Sequence, residues 1–340
     1  MGDSLFSFIP NHYLLVAFGF LLLIKGGDWF VDAATSVAKR FKLPELLIGA
    51  TVVSIGTTLP EVMTSVLGAV QSNGSAAFGN AIGSIICNTS LIAAITIAVK
   101  PAKVNKKTLI FPVCFYFGVM AVYSLFAYSF GFFDHWMGII LLVGFVAYMI
   151  INVINMKNNP EEAEEQEVEE CEIPENESKF AVLKDIAVIV ASSLVIALGA
   201  DVSVANIPAI AKDLGVPDDV VTTTLLALGT SLPELVTAIT ALMKGHGALS
   251  LGNIIGANIF NLVLVSGAAI TISPFALPET KLFDFNASLV VTVPLAIITM
   301  AIMTLPTILK GKLQRWQGIV LLCIYVGYCI FQFAVLPMFN

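Results

Sequence analysis

Runs of about twenty apolar residues recur along the chain, and that is the length the hydrocarbon core of a bilayer demands of a helix. Ten can be marked: 13–38, 44–71, 76–99, 108–129 and 136–156, then 180–211, 217–243, 248–272, 286–309 and 316–339. Lipid offers no partners to a bare backbone, so such runs must be helices that satisfy their own hydrogen bonds. The expected fold is all-α, an integral membrane protein of ten transmembrane helices. With 57% hydrophobic and 12% charged residues in 340, the chain is too apolar to fold in water.

The net charge of −7 belongs to one loop: ten glutamates fall between Glu161 and Glu177, and without them the balance is slightly basic. Residues 157–179 read as a solvated acidic linker on the cytoplasmic side, between a first five-helix half, 1–156, and a second, 180–340. The linker has no EF-hand spacing. No basic patch with interleaved aromatics is present, which excludes nucleic acid as a partner. With both ends outside, fourteen Lys and Arg residues fall in inward-facing loops and two, Lys212 and Lys281, in outward-facing ones. The positive-inside rule then places both termini on the extracytoplasmic face of the plasma membrane. Met1 to Pro10 lack a basic n-region, so the first span is expected to be retained. Cys87, Cys114, Cys171, Cys323 and Cys329 form no CxxC pair and read as packing residues. Trp29, Trp136 and Trp316 read as interface anchors, and His12, His135 and His246 as interface or solvent contacts.

Gly56-Thr57-Thr58-Leu59-Pro60-Glu61 recurs as Gly229-Thr230-Ser231-Leu232-Pro233-Glu234, an offset of 173 (234 − 61). The same offset carries Gly26 to Gly199, Asp28 to Asp201 and Pro44 to Pro217. It continues without a gap from Gly79, Asn80, Ile82, Gly83, Asn88 and Pro101 to Gly252, Asn253, Ile255, Gly256, Asn261 and Pro274. Five spans separate the copies, and five is odd, so the second enters the membrane from the opposite side. Inverted-topology repeats with broken helices at matching positions are the architecture of secondary transporters, with the site near the midplane.

Each copy sets a proline and a carboxylate inside an apolar run. The proline breaks the helix, and an ionisable group at that depth is by default functional. Candidate ligands in the first half are Thr57, Thr58, Glu61, Ser84 and Asn88, and in the second Thr230, Ser231, Glu234 and Asn261. Thr57 with Glu61, and Ser84 with Asn88, are four apart and share a helix face. The glycines at 79, 83, 252 and 256 let spans approach closely. Carboxylate, amide, hydroxyl and freed carbonyl are hard oxygen donors, suited to calcium or to sodium of similar radius; a transition metal would call for imidazole or thiolate. Two carboxylates balance one calcium or two sodium ions. Asp28 and Asp201 are expected to cap or pair near an interface. No cofactor is expected, because these ions are cargo, and no catalytic arrangement marks an enzyme.

The two copies, GTTLPE with GNAIGSIICN and GTSLPE with GNIIGANIFN, resemble the alpha-repeats of the sodium/calcium exchanger family within the calcium/cation antiporter superfamily. The resemblance covers nearly the whole chain. It implies that Glu61 and Glu234 are the central calcium ligands with Thr57 and Thr230 beside them. It makes Ser84, Thr58, Ser231, Asn88 and Asn261 flanking sodium or water contacts, and adds the backbone carbonyls of Ser54 and Ala227. It implies sodium/calcium antiport by alternating access, with the first and sixth spans sliding against the core. Ser84 is answered by Ala257, which leaves one flanking position without a hydroxyl. Asn261 stands where potassium-dependent relatives carry aspartate. The proton-coupled branch resembles a pattern with glutamate after the Gly-Asn pair, and both copies here have isoleucine and glycine instead, which favours sodium over protons. A proton/calcium antiporter on the same scaffold is the alternative, and a cation channel a more distant one. The partners implied are calcium, sodium and the lipid bilayer, with the oligomeric state open.

Overall fold

The computed structural model describes residues 11–158, 179–213, 229–278 and 280–338. The acidic linker, the first ten residues and the start of the seventh expected span lie outside them. Helices dominate: α1 (His12–Arg40), α2 (Glu45–Thr57), α3 (Leu59–Val70), α4 (Ala76–Val99), α5 (Lys106–Phe130) and α6 (His135–Asn155). They are followed by α7 (Ala181–Asn206), α8 (Leu232–Met243), α9 (Gly247–Ile272), α10 (Ser288–Lys310) and α11 (Arg315–Val335). Among the described residues eight of these are long and apolar enough to cross a membrane, and nine if the pair α2–α3, bent by 47°, counts as one. Two-residue strands, such as Phe132–Phe133 paired with Phe275–Ala276, only join loops.

The boundaries follow ordinary signals. Asn11 caps α1 by accepting from the amides of Tyr13 and Leu14, and Lys39 and Arg40 complement the dipole at its other end. Asn105 caps α5, which stops at Gly131 in the left-handed region, φ 61°. Trp136 and Trp316 stand in the first turns of α6 and α11, half-exposed as anchors should be. Trp29 differs: α1 continues past it to Arg40, so it lies inside the helix. Apolar windows of α4 and α9 are 72% and 83% buried, against 11–39% for those of the other single-helix spans.

The chain divides into two compact units: 1–57 with 152–253, and 58–151 with 254–340. In the first, α1 packs along α7. A methyl at Gly19 would stand 2.8 Å from the Gly199 carbonyl oxygen, and one at Gly199 2.8 Å from that of Gly19, so only glycine permits this approach. Arg40 Nε and Ser36 Oγ both donate to Asp185 Oδ2, at 2.8 and 2.7 Å. Helix α8 also packs on α1, and its cap Lys244 reaches Asp28 and Asp32. Asp28 thus pairs, as expected of it. Burial works against the Lys244 ammonium, but its bonds to the two aspartates outweigh that and hold its pKa above the usual value.

In the second unit α3 packs on the first part of α4 and on the later part of α9, with α5, α10 and α11 around them. Gln317, fully buried, donates to the carbonyl oxygens of Ile302 and Met303 and so satisfies its amide inside an apolar setting.

Candidate ion-binding site

Helices α3 and α8 are built alike. Each has twelve residues, a proline in its first turn, a hydroxyl residue before it and a glutamate in that turn. Thr58 has φ −84° and ψ −1°, and Ser231 φ −88° and ψ 4°. Proline is tolerated where a helix starts because that amide has no helical acceptor, so the run breaks there and begins again. Glu61 and Glu234 are both 0% exposed. Their position in a first turn puts each carboxylate near the positive end of a helix dipole, which offsets part of the cost of burying it.

In the first unit a close approach assembles the neighbourhood of Glu234. A methyl at Gly252 would stand 2.1 Å from the Leu46 carbonyl oxygen, and one at Gly49 2.4 Å from that of Leu249. Two glycines therefore let α2 and the start of α9 meet backbone to backbone. Asn253, next in sequence, then reaches α2: its Oδ1 accepts from Thr57 Oγ1 at 3.2 Å and lies 3.3 Å from Ser54 Oγ. Its Nδ2 donates to Thr237 Oγ1 of α8 at 3.0 Å. Ser54 follows a π-helical turn, Gly49–Val53, and its Oγ donates to the Gly49 carbonyl, 2.8 Å away. Ser231 is buried and Thr230 half-buried in the same unit. Ala227 lies outside the described residues.

The second unit brings Thr58, Glu61, Ser84, Asn88 and Asn261 onto packed segments, all of them buried. Asn80 Nδ2 donates to the main-chain oxygen of Glu61 at 3.1 Å and to Ser65 Oγ at 2.9 Å. Asn88 and Asn261, counterparts in the repeat, each open a π-helical turn, Asn88–Ala93 and Asn261–Val265. Both side chains are 0% exposed, and among the described residues neither amide oxygen nor nitrogen has a hydrogen-bond partner. Leaving such groups unmet costs about 1–3 kcal/mol each, so a buried amide of this kind marks a place for an ion or water. π-turns inside α-helices recur at functional sites for the related reason that they misalign the carbonyl ladder.

Ala257 is buried without a hydroxyl, but the next residue, Asn258, donates to Thr89 Oγ1 at 2.7 Å. Its counterpart in the first copy is Ile85, so this bond has no mate. The three histidines bond to protein groups: His12 to Asn206, His135 to the Thr271 carbonyl and His246 to Glu45. Among the described residues no three of His, Cys, Asp and Glu gather as a metal site would require. What remains in each unit is one buried carboxylate with neutral oxygens on its own elements, donors of the kind a hard cation takes. Reading the sequence missed Asn80, Asn253, Asn258, Ser65 and Thr237. The Gly-Asn pairs were visible as marks of the repeat, yet nothing in one dimension shows that the amides bridge helices.

The model of the family described as sodium/calcium exchanger protein matches residues 11–154 and 184–334. The chain belongs to that family. It is accordingly an integral, multi-pass membrane protein of a transporter family. The sodium/calcium exchanger MaX1 of Methanosarcina acetivorans is 31% identical over 96% of this chain and 100% of its own length. The inner membrane protein YrbG of Escherichia coli is 31% identical over 84% of this chain and 87% of its own. Among solved structures, the sodium-calcium exchanger NCX_Mj soaked with sodium and strontium superposes with a TM-score of 0.76. It shares 27% identity and covers 95% of this chain and 98% of the other.

Proposed function

We propose that this exchanger moves calcium against sodium by alternating access, through ten helices arranged as two inverted five-helix repeats. The observation that carries the reading is the matched pair of fully buried glutamates, each one residue after a helix-breaking proline. Glu61 and Glu234 act as the central calcium ligands. Thr57, Thr230, Thr58, Ser231, Ser84, Asn88 and Asn261, with the carbonyls of Ser54 and Ala227, supply neutral oxygens. Two negative charges match one calcium or two sodium ions, which makes the two cargoes alternatives. Neutral Asn261 argues for independence from potassium. The lysine and arginine asymmetry supports an orientation with both termini outside, and the membrane we assign is the plasma membrane.

The test is calcium-45 uptake into proteoliposomes under sodium, potassium and proton gradients imposed one at a time. Uptake driven by the sodium gradient alone supports the reading. Uptake that follows a pH gradient in sodium-free buffer replaces it with proton/calcium antiport, and unitary currents without counter-ion replace it with a channel.

A further inference from the structure

Asn253 is 1% exposed and sits between two candidate ligands' elements, α2 and α8. Which way its amide faces can be argued from Thr237. The Thr237 hydroxyl lies 2.8 Å from the Pro233 carbonyl and 3.1 Å from that of Glu234, where a threonine inside a helix ordinarily sends its proton. Thr237 therefore meets Asn253 as an acceptor, which assigns the nitrogen to that side and turns Oδ1 toward Thr57. Thr57 then donates its only hydroxyl proton to Asn253. A hydroxyl with its proton committed has only lone pairs left to offer, and lone pairs are what a cation takes.

We propose that Asn253 is a positioning residue: it orients Thr57 Oγ1 as a calcium ligand and, through Thr237, ties that oxygen to the helix carrying Glu234. This rests on the reading of Thr57 as part of the ion site. On the donor side the two copies differ, since the counterpart Asn80 gives its Nδ2 to Ser65 and to the Glu61 main chain. Without Asn253 the Thr57 hydroxyl rotates freely and its proton competes for the side the ion needs.

The experiment is a mutant cycle read by calcium-45 equilibrium binding to the purified protein in sodium-free detergent, with exchange in proteoliposomes alongside. Asn253→Ala is expected to weaken calcium binding and raise the KM for calcium about five- to tenfold, with kcat held within about twofold. In a Thr57→Val background the same change is expected to add nothing, because both act through one oxygen. Factors that multiply, or an unchanged dissociation constant, overturn the proposal; a merely structural defect lowers kcat or the fraction of binding-competent protein and shows no such dependence on Thr57. Should Asn253→Ala fail to fold, Thr237→Val removes the far anchor and is expected to weaken binding about two- to threefold, again only when Thr57 is present; no weakening there overturns the proposal equally. If the wild type binds calcium but does not exchange it for sodium, the transport reading fails while the cycle still decides Asn253. A wild type that binds no calcium removes both.

Discussion

Around Glu61 the Asn80 amide nitrogen donates to the main-chain oxygen of Glu61 itself and to Ser65, whereas around Glu234 the nitrogen of the equivalent amide, Asn253, donates to Thr237. The backbone of the two proline-carboxylate segments is nevertheless the same to within a few degrees at the residue before each helix. Proline, the cap position and the buried carboxylate are local requirements, so both copies meet them identically. The supporting layer depends on which neighbours each copy meets, and there the copies have diverged. Ser84 answers to Ala257 and Ile85 to Asn258, so even where a polar group is kept it has moved one residue along the helix.

The sharpest way to break the comparison is to neutralise each carboxylate in turn. Glu61→Gln and Glu234→Gln are each expected to lower sodium-dependent calcium uptake by more than about a hundredfold, because either leaves a divalent ion short of charge in a low-dielectric setting. Full activity in one of them would show that the copies are not functional equivalents. The paired glycines come next. Gly252→Ala drives a methyl into the Leu46 carbonyl and is expected to cost about 2–3 kcal/mol. Gly79→Ala meets nothing within 4 Å and is expected to stabilise by up to about 1 kcal/mol through helix propensity. Melting of the two variants in detergent checks both signs; equal losses would mean that the copies pack alike.

Ala257→Ser restores the symmetry that Ser84 implies, and is expected to lower the sodium concentration for half-maximal exchange about two- to threefold, with Ser84→Ala raising it by a similar factor. Sodium titration of uptake separates the outcomes, and no shift in either variant would remove these positions from the ion path. The smallest effect belongs to Lys244→Ala, which releases the tie from α8 to Asp28 and Asp32. All three side chains are partly exposed, so the loss is expected to be about 0.5–1 kcal/mol. The folded-state pKa of Lys244 is raised above 10.5, so its contribution is complete below that pH and is lost as pH climbs through the folded value. A wild-type advantage that persisted well into that alkaline range would show that the lysine acts through packing instead of charge.

Span positions were readable because a bilayer imposes a length and a polarity that few residues can disguise: 76–99 is expected from hydropathy alone, and Ala76–Val99 is the helix found. The carboxylates were readable because burying one in an apolar run is too costly to happen without a reason. The π-turns at Asn88 and Asn261 were not, since an extra residue in a helical turn leaves no mark in composition or period.

By itself the sequence determined the membrane setting, the repeat at its constant offset of 173, and the glutamates behind their prolines. Each of these follows from local chemistry acting on one stretch of chain. Only the tertiary structure decided that Gly49 and Gly252 bring two backbones together, that Asn253 reaches Thr57 and Thr237, and that the amide nitrogen of Asn80 goes to Ser65. The meeting of Gly49 with Gly252 and of Thr57 with Asn253 depends on contacts between residues about two hundred positions apart, which no local signal in the chain encodes.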